Sequence, residues 1–243
     1  MSEHADAARI AAAAGEVLLE LRNSSDLTGS ELRDEADRRA HDCIMELLGQ
    51  AYPDDPILSE EGRDDTARLT NSRVWIVDPL DGTREYGEGR SDWAVHVALA
   101  VDGFPSIGAV ALPGLGTVLS TDPAPQLQPA HEGPPRMVVS RTRPPAITEG
   151  LRAAIGAELV PMGSAGAKAM AVVRGEADVY AHGGGQYEWD SAAPVAVAAA
   201  AGLHVSRLDG SPLVYNNEDV WLPDLLICRR ELADAVLAAV AAA

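Results

Sequence analysis

Basic residues are scarce in this 243-residue sequence, where 19 lysines and arginines stand against 37 aspartates and glutamates. The net charge of −18 at pH 7, without any basic run, argues against a nucleic-acid partner or an anionic membrane surface. An acidic protein still binds a small anion where metal ions and a few cations dominate one pocket, because charges beyond about 10 Å are screened. The composition therefore leaves a metal-assisted anion site open.

Long apolar runs and cysteines are also scarce. No apolar stretch reaches membrane-spanning length, and the first residues lack the basic start and small-residue cleavage site of a signal peptide. Cys43 and Cys228 have no CxxC or histidine spacing, so we interpret them as buried thiols, with a disulfide between them as the lesser alternative. These absences predict a cytoplasmic protein. Its 47 % hydrophobic content suffices for one large domain or two modest ones.

Hydrophobic periodicity predicts a mixed α+β or α/β fold. Apolar residues at helical spacing predict two N-terminal helices, and β-branched runs predict several strands between residues 57 and 120. The proline-rich stretch 121–135 lacks periodicity and predicts a boundary between an N-terminal α+β domain, 1–125, and a C-terminal α/β domain, 133–243. Alternating strands and helices after residue 136 predict a sheet covered by helices.

The stretch with the most chemical content is Asp-Pro-Leu-Asp-Gly-Thr at 78–83. Residues 73–77 are predicted to form a buried strand that ends at Asp78. Pro79 biases Asp78 toward extended geometry, and turn chemistry at Asp81 folds the second carboxylate back beside the first. The threonine that ends the motif would open a short helix whose free amides suit a phosphate. The alternative is an ordinary turn in which each aspartate bonds its own backbone.

Three further acids fall near the ends of predicted elements. Glu60 follows a short strand, Asp190 is predicted to cap the helix that starts after it, and Asp37 lies near the apolar side of the second helix. The alternatives are a solvated loop, a simple helix cap and a surface acid, respectively. If Glu60, Asp190 and the paired aspartates of the motif shared one cleft, they would repel one another unless cations neutralised them. An all-oxygen ligand set suits Mg²⁺, which shares its coordination shell with a substrate phosphate.

In order and spacing, the acidic motifs resemble those of the inositol monophosphatase superfamily, whose members are Mg²⁺-dependent, lithium-sensitive phosphatases. The residues that carry the resemblance are Glu60-Glu61, the motif at 78–83, Gly163-Ser164-x-x-x-Lys168 and Trp189-Asp190-Ser191-Ala192-Ala193. It covers nearly the whole chain. The resemblance implies a layered αβαβα sandwich, two or three Mg²⁺ ions with Mn²⁺ as a possible substitute, a possible homodimer, and hydrolysis of a phosphate monoester.

The resemblance also implies roles for individual residues. The implied metal ligands are Glu60, Asp78, Asp81, Asp190 and the carbonyl of Leu80. Asp37 and Thr83 would orient and deprotonate the attacking water, with Glu60 as a third catalytic residue. The implied substrate contacts are Gly82, Thr83, Ser140, Arg141, Ser164, Lys168, His182, Glu188 and Asp190.

Details of the motifs resemble the CysQ-type 3'(2'),5'-bisphosphate nucleotidases more than the inositol branch, which implies hydrolysis of 3'-phosphoadenosine 5'-phosphate to AMP and phosphate in sulfur assimilation. Lys168 is the only lysine in the chain, so a compact ammonium is expected to hold the second phosphate with Ser164 or Arg141. His182 replaces an arginine of some nucleotidases, and it either contacts the 5'-phosphate or starts the glycine loop after it. Tyr187 is expected to stack on the base.

Two alternative functions stay open at this point. The first is a phosphatase of the same class with a broader inositol monophosphatase or fructose-1,6-bisphosphatase activity. The second belongs to a different class: a regulator that keeps the fold and binds metal and nucleotide but does not turn over a substrate. The intact acids, together with Asp37 and Thr83, argue against the regulator.

Overall fold

The computed structural model describes residues 2–130 and 132–242 of the chain. Its α-helices are α1 (Glu3–Ser24), α2 (Gly29–Ala51), α3 (Thr83–Gly87), α4 (Thr148–Ile155), α5 (Ala165–Val173), α6 (Glu188–Ala200) and α7 (Arg230–Ala241). Its strands are β1 (Ile57–Ser59), β2 (Arg73–Asp81), β3 (Ala94–Val101), β4 (Phe104–Leu112), β5 (Thr117–Ser120), β6 (Arg136–Ser140), β7 (Glu158–Met162), β8 (Val179–His182), β9 (Gln186–Tyr187), β10 (His204–Ser206), β11 (Trp221–Leu222) and β12 (Leu225–Cys228).

The strands of the N-terminal half form one sheet in the order β1-β2-β3-β4-β5, in which only β1 and β2 run parallel. Helices α1 and α2 cover its outer face. The apolar residues Ile10, Ala14 and Leu18 recur at helical spacing along α1 and are fully buried against the sheet. The amphipathic pattern thus places both N-terminal helices on one side of this sheet.

The C-terminal half contributes a second sheet in the order β10-β12-β8-β6-β7. Helices α4 and α7 cover its outer face, and α5 and α6 lie in the core between the two sheets. The result is five layers in the order α, β, α, β, α, which confirms the layered sandwich expected from the sequence. The described parts of the proline-rich stretch, 121–130 and 132–135, lie between the first sheet and the second in the chain.

Strand β2 does not end at Asp78, as the sequence predicted, but continues through Pro79 to Asp81. The register with β3 shifts between Asp78 and Asp81, which marks a β-bulge. Pro79 falls inside this irregularity, where its missing N–H interrupts no ladder hydrogen bond. Gly82 follows with a φ of +91°, a left-handed conformation that favours glycine, and α3 begins directly after it as expected.

Helix α6 begins at Glu188, three residues before the predicted start. Its N-cap is Tyr187, so Asp190 is the third residue of the helix and not its cap. Strand β9 immediately precedes the helix and pairs with β11 in a short ribbon that the sequence pattern did not show. The apolar residues of α6 lie in the core between the sheets, and Gly108 of β4 permits close contact, because a Cβ there would lie 2.8 Å from the Ala193 carbonyl oxygen.

Both cysteines are free thiols, with Cys43 half-buried and Cys228 fully buried. Burial raises the pKa of the Cys228 thiol to about 12. Among the helices of residues 2–130 and 132–242, none combines the length and the apolar character needed to span a bilayer.

Candidate metal and substrate site

Three aspartates from two distant segments of the chain lie close together. Asp78 and Asp81 come from the two sides of the bulge in β2, and Asp190 comes from the first turn of α6. One carboxylate oxygen of each lies within 4.8 Å of the others. The bulge explains why both aspartates of β2 reach this point, since an uninterrupted strand would turn residues three apart to opposite faces.

The N-terminus of α5 holds the carboxylate of Asp81. The Ser164 hydroxyl and the backbone amides of Ala165, at 3.1 Å, and Gly166, at 2.6 Å, all donate to its oxygens. Ser164 adopts a φ of +47°, which side-chain-bearing residues rarely do, and this strained position aims its hydroxyl at Asp81. Asp81 is thereby fixed by the C-terminal half although it belongs to the N-terminal sheet.

Asp78 is almost completely buried and only half satisfied. Its Oδ1 accepts the Leu80 N–H at 3.0 Å, whereas its Oδ2 is buried and has no hydrogen-bond partner among the described residues. Burial, together with the charges of Glu60, Asp81 and Asp190, raises the pKa of Asp78 well above its usual range. An unsatisfied carboxylate oxygen that faces other carboxylates is what a divalent cation would neutralise.

Glu60 completes the acidic cluster from the end of β1. Its residue is exposed, but its carboxyl lies close enough to the cluster that desolvation and the charge of Asp190 raise its pKa to about 7. Burial and the charge of Asp81 likewise raise the pKa of Asp190 to about 7, although its Oδ2 accepts the Tyr187 N–H at 2.6 Å. The structure therefore brings together the four acids that the sequence singled out, and their all-oxygen donor set fits Mg²⁺.

Asp37 and Thr83 lie beside this cluster. The Thr83 hydroxyl has two acceptors in reach, the Leu80 carbonyl at 3.1 Å and the carboxylate of Asp37 on α2. Burial and the nearby charge of Glu61 raise the pKa of Asp37 to about 7, and the hydrogen bond with Thr83 opposes that rise. A carboxyl with such a pKa exchanges protons readily near neutral pH.

A cavity of about 580 Å³ opens next to the acids, between α5, the loop after β6 and the glycine loop after β8. Six residues that were predicted to bind the substrate line this cavity: Gly82, Ser140, Ser164, Lys168, His182 and Asp190. Its volume falls in the range of small-molecule sites, about 300–1,000 Å³. Arg143 also lines it and was missed by the sequence analysis, although it lies three residues beyond Ser140.

Lys168 and His182 are only partly available to a ligand. The Lys168 ammonium is buried, and it donates to the carbonyls of Gly163 at 3.2 Å and Ser164 at 2.5 Å. His182 bonds the Gly185 carbonyl through Nε2 at 2.9 Å, which supports the interpretation that it starts the glycine loop. Burial lowers the pKa of both groups, so the histidine is mainly neutral at pH 7.

Three residues expected at the substrate do not line the cavity: Thr83 lies beside the acidic cluster, and Arg141 and Glu188 make other contacts. Arg141 pairs with Glu85 at 2.7 Å and Glu88 at 2.6 Å, and it does not line the cavity. Glu188 is fully buried and accepts hydrogen bonds from the loop at Asn216, away from the cavity. The resemblance implied that both contact the substrate, but neighbouring residues on a strand end or a helix turn face different directions, and these two side chains face away from the cavity.

His96 of β3 also lies at the site, although its place in an apolar strand is typical of an ordinary core histidine. Its Nδ1 donates to the Trp189 carbonyl at 2.9 Å, and its Nε2 lies 3.4 Å from Asp81 Oδ2. The β2–β3 register pairs it with Asp78. That register was the missing signal, because a predicted hairpin would have placed the histidine beside the motif.

Comparisons with known proteins agree with this arrangement. The sequence is 50 % identical to a 3'-phosphoadenosine 5'-phosphate phosphatase of Mycobacterium bovis over 94 % of this chain and 89 % of that protein. It is 34 % identical to the 3'(2'),5'-bisphosphate nucleotidase CysQ of Escherichia coli over 77 % of this chain and 80 % of that protein. The crystal structure of CysQ from Bacteroides thetaiotaomicron superposes with a TM-score of 0.80 at 28 % identity, covering 93 % of this chain and 97 % of that one. Residues 1–243 match the model of the inositol monophosphatase family, and the chain belongs to that family.

Proposed function

We propose that the chain is a Mg²⁺-dependent phosphatase that removes the 3'-phosphate of 3'-phosphoadenosine 5'-phosphate, yielding AMP and phosphate. The observation that carries the proposal is the convergence of Glu60, Asp78, Asp81 and Asp190 at the edge of a cavity large enough for a nucleotide. The names of the relatives point to the same substrate class.

The four acids and the Leu80 carbonyl would hold the Mg²⁺ ions, with Mn²⁺ as a substitute. The fit rests on the unsatisfied Oδ2 of Asp78 and on the spacing of the three aspartate oxygens. When bound, Mg²⁺ polarises the phosphate oxygens and makes water acidic enough to ionise near neutral pH. Without a cation, burial and, after it, the charges of the neighbouring carboxylates raise the pKa values of Asp78 and Asp190.

The protein's own groups would bind the substrate and move the proton. The Thr83 hydroxyl would orient the attacking water, and Asp37 would accept its proton, which suits a carboxyl whose pKa is about 7. The free amides that open α3 after Gly82 would face the phosphate. The water oxygen bonds to phosphorus as the bond to the 3'-oxygen breaks, and the departing oxygen takes up a proton as AMP forms.

The cavity supports a substrate with a second anionic group. Lys168 and Arg143 supply positive charge on its wall, and Lys168 lies close enough to Asp81 and Asp190 to interact with their charges. The Arg143 guanidinium is exposed, and no hydrogen bond of its side chain is found within the described ranges. Tyr187 borders the same cavity and offers an aromatic face to a base.

A substrate panel tests this proposal. Phosphate release from 3'-phosphoadenosine 5'-phosphate, inositol 1-phosphate and fructose 1,6-bisphosphate is measured with Mg²⁺, with Mn²⁺ and after chelation. We expect the highest kcat/KM for the nucleotide and loss of all turnover on chelation. A preference for inositol 1-phosphate would overturn the substrate assignment. Tight nucleotide binding without phosphate release at any metal concentration would favour the regulator.

Asp81→Asn provides the matched variant for the metal. Asparagine keeps the shape of the residue and removes its charge, although its amide nitrogen cannot accept the hydrogen bonds that one oxygen of Asp81 receives at the N-terminus of α5. We expect most turnover to be lost while nucleotide binding persists. The control is Asp42→Asn, which removes an exposed carboxylate on α2 and should leave kcat unchanged.

A further inference from the structure

Arg68 is an unusual residue outside the site, because it is only 1 % exposed although it lies in a surface segment, the 3-10 helix Thr66–Thr70 between β1 and β2. Arginine is rarely buried this completely unless its donors are paired. Two of its donors contact Asp64, at 2.7 Å and 3.0 Å. The remaining contacts cross to the C-terminal half of the chain.

Those contacts hold one loop of the C-terminal half. Arg68 donates to the Asn216 side-chain oxygen at 2.7 Å and to the Asn217 carbonyl at 3.0 Å. The Asn216 amide group in turn donates to the Arg68 carbonyl at 3.2 Å. Asn216 adopts a φ of +63°, so the loop turns sharply at the residue that Arg68 contacts.

The same loop is hydrogen-bonded to Glu188, the first residue of α6. The carboxylate of Glu188 accepts the backbone N–H groups of Asn216 at 2.7 Å and Asn217 at 2.8 Å, and the Asn217 side chain at 2.7 Å. Glu188 is fully buried, and Asn216 and Asn217 are half-buried, so these bonds are partly shielded from water. Asp190 lies two residues further along this first helical turn.

We infer that Arg68 is a positioning residue for the metal site, acting through Asn216, Asn217 and Glu188 to fix Asp190 against the acids of the N-terminal half. Glu60 and Arg68 belong to the same β1–β2 connection, so the link ties both ends of the acidic cluster to one segment. The inference rests on the proposed metal-dependent function. Residues that orient metal ligands without touching the metal typically change metal affinity by about 10- to 100-fold when removed.

Titration of the metal-free protein with Mn²⁺, followed by the electron paramagnetic resonance signal of free Mn²⁺, tests the inference without using turnover. We expect Arg68→Ala to raise the dissociation constant about tenfold. Asn216→Gly provides a milder variant, because glycine accepts the positive φ while both side-chain bonds to Arg68 disappear. We expect it to weaken Mn²⁺ binding several-fold with the fold intact.

The control is Arg73→Ala. Arg73 is also an ion-paired arginine of the N-terminal half, held by Glu3 at 2.6 Å and Asp55 at 2.9 Å, but it does not reach the loop of Asn216. Its loss should lower the melting temperature and leave the dissociation constant within about twofold. A melting scan of each variant separates general destabilisation from a specific change at the metal.

The double variant Arg68→Ala/Glu188→Gln shows whether the two residues act along one connection. If they do, the Mn²⁺ dissociation constant of the double variant is close to that of the single variant that binds Mn²⁺ more weakly. If they act independently, the fold-changes of the two single variants multiply. An unchanged dissociation constant in folded Asn216→Gly, or multiplied effects in the double variant, overturns the inference. If the wild-type protein itself binds no Mn²⁺, the proposed metal-dependent function fails instead.

Discussion

Replacing Asp78 with asparagine should stabilise the metal-free protein while it abolishes turnover. Asp78 is 1 % exposed and faces Asp81 and Asp190 across no more than 4.8 Å. Asparagine keeps the acceptor for the Leu80 N–H, and its amide N–H groups replace a charge that faces other carboxylates. The folded protein then no longer carries a buried like charge or binds a proton to avoid one.

The expected gain follows from the distances. At an effective dielectric constant of about 20, two unit charges 4.8 Å apart repel by about 3 kcal/mol. We therefore expect Asp78→Asn to raise the free energy of unfolding by about 3 kcal/mol at pH 8 without metal. For a chain of this size that corresponds to a rise in Tm of about 6–12 °C.

The gain should shrink in acid. The raised pKa values mean that the folded protein binds more protons than the unfolded chain between about pH 4 and pH 7, so its stability falls as the pH rises through this window. At pH 5, protonating Asp78 from its usual pKa of 3.8 costs at most about 1.6 kcal/mol. The asparagine substitution therefore removes a smaller free-energy penalty at pH 5 than at pH 8.

Thermal unfolding of wild type and Asp78→Asn at pH 5 and pH 8, with and without Mg²⁺, measures these differences. Mg²⁺ should raise the Tm of the wild type more than that of the variant, because binding to the folded state stabilises it. Asp42→Asn removes one exposed carboxylate and serves as the control, with an expected change within about 0.5 kcal/mol. A lower Tm for metal-free Asp78→Asn at pH 8 would refute the repulsion argument.

Three further substitutions test separate parts of the structure. Asp37→Asn should lower kcat by about 10²- to 10⁴-fold through loss of proton transfer, with Mn²⁺ affinity unchanged; equal losses of both would place Asp37 among the metal ligands. Tyr187→Ala should raise KM for the nucleotide about tenfold and spare inositol 1-phosphate, with Tyr187→Phe near wild type; equal losses on both substrates would argue against stacking. Gly108→Val should lower the free energy of unfolding by about 1–3 kcal/mol in denaturant titrations, because its side chain would collide with the Ala193 carbonyl on α6; an unchanged midpoint would contradict that packing.

Local patterns predicted the helices and strands, whereas the layered fold and the shared site of the four acids were implied by the resemblance in motif order and spacing. Hydrophobic periodicity identified the helices, whereas the turn at Asp78 and Asp81, taken alone, also fits an ordinary Asp-Gly turn. The continuation of β2 through Pro79 was not predictable in this way. Proline usually ends a strand, and only the pairing with β3 shows that a bulge accommodates it.

Hydrogen-bond and ion-pair partners that are distant in the sequence were the other source of error. Arg141 and Glu188 were expected to contact the substrate. Instead, Arg141 forms an ion pair with Glu85, and Glu188 accepts hydrogen bonds from the loop at Asn216. Such partners lie 28 to 56 residues away in the chain. A charge pattern along one sequence carries no information about which of many distant acids or amides an arginine meets, so Arg68 also gave no signal.

The position of helix α6 determines whether the two halves of the chain can be separated or exchanged with those of other proteins. By sequence it belongs to the second half, but its apolar residues share one core with the inner face of the first sheet and deliver Asp190 to acids anchored there. A fragment of residues 1–125 would keep three of the four carboxylates and leave that inner face bare. We therefore expect the halves to behave as complementing pieces that regain cation binding only after reassociation, and not as modules that recombine freely with those of other proteins.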